Sequence, residues 1–212
     1  SLGATYKGKI LGSLGKVSCF SFFANKILTT GEGGMVLTDD HELYFLLKEL
    51  RDHGMSRHQK YIHVALGFNY RMTNMQAALG LAQLERLNQI LDKRQRQETM
   101  YENLLSSSDK LSLRSKQPWA GTVHWMMTIQ LRKEYIRDKM LEYLKQKGID
   151  CRQMIYPVHF AQHFKSAYDQ HSFPVSERIS LNSLHLPSST NLHEENIEKI
   201  SHTVLKGLKL YG

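Results

Sequence analysis

The stretch from Val17 to Val36 constrains this chain more than any other. It opens with an apolar, β-branched and aromatic run, Val17 to Phe23, which predicts a buried strand. It closes on a second short strand, Met35 to Thr38. Between the two lie one lysine, Lys26, and the glycine-rich turn Gly31-Glu-Gly-Gly34. Glycines there let the backbone reverse where a side chain would strike a ligand. A lysine delivered at the edge of a buried strand is partly desolvated. That favours the neutral amine, the form that attacks a carbonyl to make a Schiff base. By spacing alone, a β-hairpin whose loop carries an exposed lysine is the simpler reading.

The rest of the chain predicts an α/β protein. Asp39-Asp-His-Glu42 has the form of a capping box, followed by Leu43, Leu46, Leu47 and Leu50 at helical spacing and stopped at Gly54. Arg57 to His63 reads as a surface loop. A second capping box, Thr73-Asn-Met-Gln76, opens the longest periodic stretch, predicted as one helix to about Leu105. Met75, Leu79, Leu84, Leu87 and Leu91 mark its apolar side, and Gly80 inside it would allow close packing. Ser106 to Thr122 turns polar and is the boundary between two domains, 1–105 and 106–212. Beyond it, Val123 to Leu131 reads as a strand, Lys133 to Lys147 as an amphipathic helix and Ile149 to Ile155 as a strand. This β-α-β order indicates a small α/β domain. A short helix at Pro174 to Asn182 and a strand at Leu184 to Leu186 follow. Asn191 would then cap a last helix using Leu192, Ile197, Ile200, Val204 and Leu208.

Several function classes are set aside by composition. The net charge is +8, yet the local cluster Lys93-Arg94-Gln-Arg96 falls in a helical pattern and reads as a solvated face, so no nucleic acid is expected. No apolar run approaches a membrane span, and the 11 histidines show no metal-ligand spacing, so neither membrane nor metal is expected. Cys19 and Cys151 form no C-x-x-C, which fits a reducing cytoplasm, with Cys19 read as a buried strand residue.

Ser21-Phe-Phe-Ala-Asn-Lys26 followed by Thr29-Thr-Gly-Glu-Gly-Gly-Met35 resembles the pyridoxal-phosphate lysine segment of the sugar-nucleotide aminotransferases of the DegT/DnrJ/StrS type. The segment from Gly67 to Gly80 resembles another hallmark of that family, closest to members that aminate the sugar C4 carbon. Leu2 to Gly8, Phe173-Pro-Val-Ser-Glu177 and Leu186-Pro-Ser188 match in the same order. The resemblance implies the aspartate-aminotransferase-like (fold type I) architecture. Residues 1–105 would be the remaining part of the large cofactor domain, ending in a long helix, and 106–212 the small C-terminal domain. It implies transfer of an amino group, from glutamate as donor, to a keto sugar of a nucleotide diphosphate sugar, with pyridoxal 5'-phosphate as cofactor. Both that substrate and the cofactor phosphate are anionic, which suits part of the basic excess. Lys26 would bind the cofactor and carry the catalytic proton, and Ser21 would hydrogen-bond its phosphate. Asn69 would reach the phosphate held by a neighbouring subunit, which implies a homodimer with shared sites. Arg71 would serve substrate or interface, or else a structural ion pair, and His159 would lie on the sugar side. The family's ring-nitrogen aspartate, phosphate-cradling turn and stacking aromatic lie upstream of the segment matching Ser1-Leu-Gly-Ala. The chain therefore resembles the C-terminal part of such an enzyme, and by itself is not expected to transaminate. A truncated, non-catalytic relative serving as a regulatory or partner-binding module is the alternative. A DNA-binding regulator lacks helix-turn-helix support.

Overall fold

The computed structural model describes residues 2–164 and 171–212. In chain order its elements are β1 (Thr5–Tyr6), β2 (Lys9–Ile10), β3 (Ser18–Ser21), β4 (Gly34–Leu37), α1 (His41–Arg51), α2 (Asn74–Leu84), α3 (Leu87–Leu105), β5 (Leu111–Leu113), β6 (Ala120–Gly121), β7 (Met127–Leu131), α4 (Arg137–Gln146), β8 (Arg152–Gln153), α5 (Pro174–Asn182), β9 (Ser183–Leu186) and α6 (Glu194–Tyr211). The expected α/β content is present. The chain divides into two compact units, Ser1–Leu91 with Gln117–Val123, and Asp92–Lys116 with His124–Gly212. No helix among the described residues is long and apolar enough to cross a membrane.

In the first unit β3 and β4 pair antiparallel from Ser18 opposite Leu37 to Ser21 opposite Gly34, so the expected hairpin forms. Its burial does not follow the expectation. Val17, Phe23, Met35, Val36 and Leu37 are exposed, and so is Cys19, which the sequence placed inside. A two-stranded ribbon leaves both faces open unless another layer covers it. The same holds for α1, in which no residue is fully buried. Its N-cap is Asp40 rather than Asp39: the Asp40 carboxylate accepts from Leu43 N–H at 3.0 Å.

The capping box at Thr73 is present. Thr73 Oγ1 accepts from Gln76 N–H at 3.2 Å, and Gln76 Oε1 accepts from Thr73 N–H at 2.9 Å. The single long helix is not, because it breaks into α2 and α3 at Glu85 and Arg86. Arg86 N–H donates to Gln83 O at 3.1 Å instead of Ala82 O. The Arg86 side-chain Nε takes that Ala82 carbonyl itself, at 3.4 Å. One residue thus supplies both the tightened turn and the substitute donor.

In the second unit the sheet order is β5-β7-β9-β8, every neighbouring pair antiparallel. β7 and β8, joined through α4, therefore run parallel with β9 inserted between them. The expected β-α-β order is there but split. The strands are shorter than expected, since Arg152 and Gln153 have only His185 and Leu184 to pair with. β5 lies inside the stretch read as polar boundary and buries Leu111. The core packs Met127, Ile129 and Leu131 of β7 with residues of α3, α4 and α6. In α6, Ile197, Ile200, Val204 and Leu208 are buried as their spacing predicts. Its N-cap is His193, not Asn191, whose N–H is taken by Ser189 Oγ at 3.3 Å in the preceding turn. At the other end Lys110 Nζ donates to Leu208 O and Gly212 O, setting a cation against the helix C-terminus.

β9 is buried along its whole length. His185 stands in it with Nδ1 2.9 Å from Thr128 Oγ1. Burial, and then the Arg152 charge, hold the imidazole below its ordinary pKa. His124, buried beside Glu98, is shifted the same way by burial. As pH falls, the unfolded chain takes up these protons first. Stability is therefore complete above the ordinary imidazole pKa and declines as pH drops from there through the folded value. Urea midpoints should fall between pH 7.5 and 5.5, and His185→Gln should flatten the decline. An equal slope in that variant would show that His185 is not the group responsible.

Candidate active site

Lys26 stands at the crown of a loop closed on itself. Phe22 and Thr30 form its neck. Thr30 N–H donates to Phe22 O at 2.9 Å, the Thr29 hydroxyl donates to the same oxygen at 3.0 Å, and Phe22 N–H donates to Gly33 O at 2.8 Å. Phe22, Leu28 and Thr30 are buried, so the neck is anchored in packed side chains while Lys26 itself is half-buried. The Lys26 N–H donates to Phe23 O at 3.0 Å and tightens the turn beneath it. Ser21, the last residue of β3, is exposed beside the neck, and its Oγ accepts from Phe23 N–H at 3.4 Å. Gly33 has φ +149°, and a Cβ there would overlap Thr30 Oγ1. The glycine is thus required by the loop's own atoms.

Asn69 and Arg71 belong to a segment laid across the end of α1. Phe68 N–H donates to Leu50 O at 2.6 Å, Tyr70 N–H to Arg51 O at 2.9 Å, and His53 N–H to Phe68 O at 2.8 Å. The approach is possible because Gly54 and Gly67 cross backbone to backbone. A Cβ on Gly67 would overlap Gly54 N, and one on Gly54 would overlap Ala65 O. Asn69 pairs with Asp52 and is exposed. Arg71 Nε lies 3.2 Å from Asp52 Oδ1, an ion pair with the guanidinium side chain 54% exposed.

The helix that follows, α2, returns to the lysine loop. Gln83 Oε1 accepts from Thr29 N–H at 3.1 Å, and Gln83 Nε2 donates to Thr29 O at 2.7 Å. Gln76 Nε2 donates to Glu32 O at 3.0 Å. By sequence Gln76 is a cap residue within the Gly67–Gly80 segment, and Gln83 is one more residue of the helix. Their seven-residue spacing, with Gly80 between, was the available signal.

His159 lies in the second unit, on a 3-10 turn, Val158–Phe160. Its Nε2 is 3.1 Å from Glu177 Oε1, and the rings of Phe160 and Phe173 lie 4.9 and 4.6 Å from its own. The same Glu177 oxygen accepts from Phe173 N–H at 3.2 Å. Glu177, read only as part of a motif, is therefore the residue that fixes His159. Lys26, Ser21, Asn69 and Arg71 all lie in the first unit.

Residues 1–205 match the model of the DegT/DnrJ/EryC1/StrS aminotransferase family. The chain is 35% identical over 204 residues to GDP-perosamine synthase of Escherichia coli O157:H7, covering 96% of this chain and 55% of that protein. It is 38% identical over 206 residues to GDP-perosamine synthase of Caulobacter vibrioides, covering 94% and 54%. A putative sugar aminotransferase from Streptococcus pneumoniae, solved in its PLP-form, superposes with a TM-score of 0.93 at 26% identity, over 100% of this chain and 56% of that one. The chain spans about half the length of the curated relatives it matches.

Proposed function

The chain belongs to the DegT/DnrJ/EryC1/StrS aminotransferase family, and from that membership we propose that the full-length protein moves an amino group from glutamate onto the keto carbon of a nucleotide diphosphate sugar. The observation that carries this reading is the closed loop with Lys26 at its crown, a half-buried lysine on a neck that backbone hydrogen bonds hold shut. Pyridoxal phosphate, when bound, supplies an aldehyde for amines to condense with and a ring that accepts electrons from the donor's α-carbon.

The residues present fit that group. Lys26 offers a primary amine as covalent anchor, and Ser21 and Asn69 offer exposed neutral donors suited to phosphate oxygens. In this reading Lys26 would also be the base that takes the proton from the donor's α-carbon and, in the acceptor half of the reaction, the acid that gives one to the sugar carbon. Asn69 serves the site of a second copy, so the working form is a homodimer with shared sites in the cytoplasm. Arg71 meets an anionic part of the substrate with the donors its Asp52 pair leaves over, and His159, held by Glu177, faces the sugar. In this reading a large cofactor domain, 1–105, precedes a small domain, 106–212, although the compact units change over earlier, between Leu91 and Asp92. The two compact units support a two-part chain, with their change-over inside α3.

Purified full-length protein given glutamate and a GDP- or UDP-linked 4-keto sugar should release 2-oxoglutarate and an amino sugar nucleotide in equal amounts. No amino transfer with any keto sugar nucleotide, by a protein loaded with cofactor, would overturn the reading.

A further inference from the structure

We propose that Gln83 and Gln76 are positioning residues for Lys26, acting through the backbone of the loop that carries it. This deepens, and rests on, the assignment of Lys26 as the reactive amine. The two glutamines lie seven residues apart, two turns of α2, and so share one stripe of that helix. Gly80 lies on the same stripe between them. It is buried, and a Cβ there would stand 3.0 Å from Thr30 Cγ2. A small residue at the centre brings the helix down onto the loop, and a long amide on each side reaches into its backbone.

The hydrogen bonds assign the parts. Gln83 meets both polar groups of Thr29, accepting from the N–H and donating to the C=O, as a neighbouring strand would. The doublet also fixes which end of the amide is oxygen, since Thr29 N–H can only donate and Thr29 O can only accept. A second Gln83 Nε2 contact, 2.8 Å to Leu79 O, ties the side chain back to its own helix. Gln76 holds Glu32 O from the other end, while its Oε1 is kept by the Thr73 cap. Thr29 lies three residues beyond Lys26, and its hydroxyl closes the neck on Phe22 O. A Thr29 free to turn would release that hydroxyl contact and let the crown of the loop shift. The amine would then stay on the protein but lose its fixed place, and orientation is where a catalytic amine gains much of its rate.

Three full-length variants test this: Gln83→Ala, Gln83→Glu and Gln76→Ala. Glutamate keeps an acceptor for Thr29 N–H but sets its second carboxylate oxygen against Thr29 O and Leu79 O, so it should not restore what alanine loses. In cofactor-free protein, Gln83→Ala should speed backbone hydrogen exchange over Thr29–Gly33 by about tenfold, the expected cost of leaving this part-buried pair unmade. Exchange in α6, in the second unit, should be unchanged. In loaded protein kcat should fall about tenfold, while KM for the nucleotide sugar changes little. Gln76→Ala should raise exchange around Glu32 with a smaller loss of kcat. Unchanged exchange over Thr29–Gly33 in folded Gln83→Ala would overturn the clamp. So would faster exchange with kcat intact, or a loss carried wholly by KM. Borohydride trapping followed by peptide mapping in the wild type separates the two layers. Cofactor fixed on a lysine other than Lys26 would overturn the amine assignment, and leave the exchange result as a structural role only.

Discussion

Lys26→Ala should abolish amino transfer in the full-length protein while leaving it folded. The proton-transfer role alone is worth about 10²–10⁴-fold in rate, and loss of the covalent anchor adds to that. If Ser21 and Asn69 hold the phosphate as proposed, cofactor should still bind, without a covalent bond. Borohydride should fix label on the Lys26 peptide in wild type and nowhere in the variant. Lys26→Arg should not restore activity, since a guanidinium stays protonated and cannot act as the nucleophile. Mixing Lys26→Ala with Asn69→Ala subunits extends the experiment to the dimer. If Asn69 serves the partner, each hybrid carries both lesions at one site and none at the other. Random pairing should then return about a quarter of wild-type activity from two inactive parents. Verified hybrids that stay inactive would confine Asn69 to its own subunit, and label on another lysine would sink the Lys26 assignment.

The second large effect is expected at Gly67. Any side chain there must move the segment off Gly54, because the two backbones already touch. Moving it breaks the bonds from Phe68 and Tyr70 to the end of α1, and the one from His53 back to Phe68. At about 1 kcal/mol net for each of three hydrogen bonds, Gly67→Ala should cost about 3 kcal/mol locally, and Gly67→Val more. Amide exchange at Phe68 and Tyr70 should rise by about 100-fold, and activity should fall with the displacement of Asn69. Leu66→Ala, at a neighbour 91% exposed, should do almost nothing and serves as the control. Wild-type exchange at Phe68 in Gly67→Ala would mean that the crossing is not what holds the segment.

What could be read in the sequence depended on whether the decisive interaction was local. The Thr73 capping box and the stripe of α6 are set by residues a few positions apart, and the β3–β4 hairpin is marked by two apolar runs flanking a glycine-rich turn; each appears. The break between α2 and α3 carries no glycine or proline. There Arg86 N–H turns to Gln83 O, which no periodicity reports. Burial failed for a different reason. The apolar run at β3 and the leucines of α1 say that residues are apolar, not what covers them. At the candidate site the residue types that bear chemistry were legible, because lysine, serine and asparagine sit in long specific segments. Their supports were not. Gln83 reaches Thr29 across 54 positions of chain, and Glu177 reaches His159 across 18.

The split order of the second sheet has a consequence for synthesis. β8 pairs only with β9, and β7 has β5 on one side but must wait for β9 on the other. As the chain leaves the ribosome, the β5–β7 pair can form early, yet one edge of β7 stays open until Ser183–Leu186 emerges. At 5–20 residues per second, the roughly 50 intervening residues take on the order of 3–10 s. For that interval a strand carrying Met127, Ile129 and Leu131 presents unpaired backbone to every neighbour in the cell. The second unit cannot close cotranslationally before its last two elements arrive, so its yield in vivo should depend on translation speed between β7 and β9 and on chaperones that shield that edge.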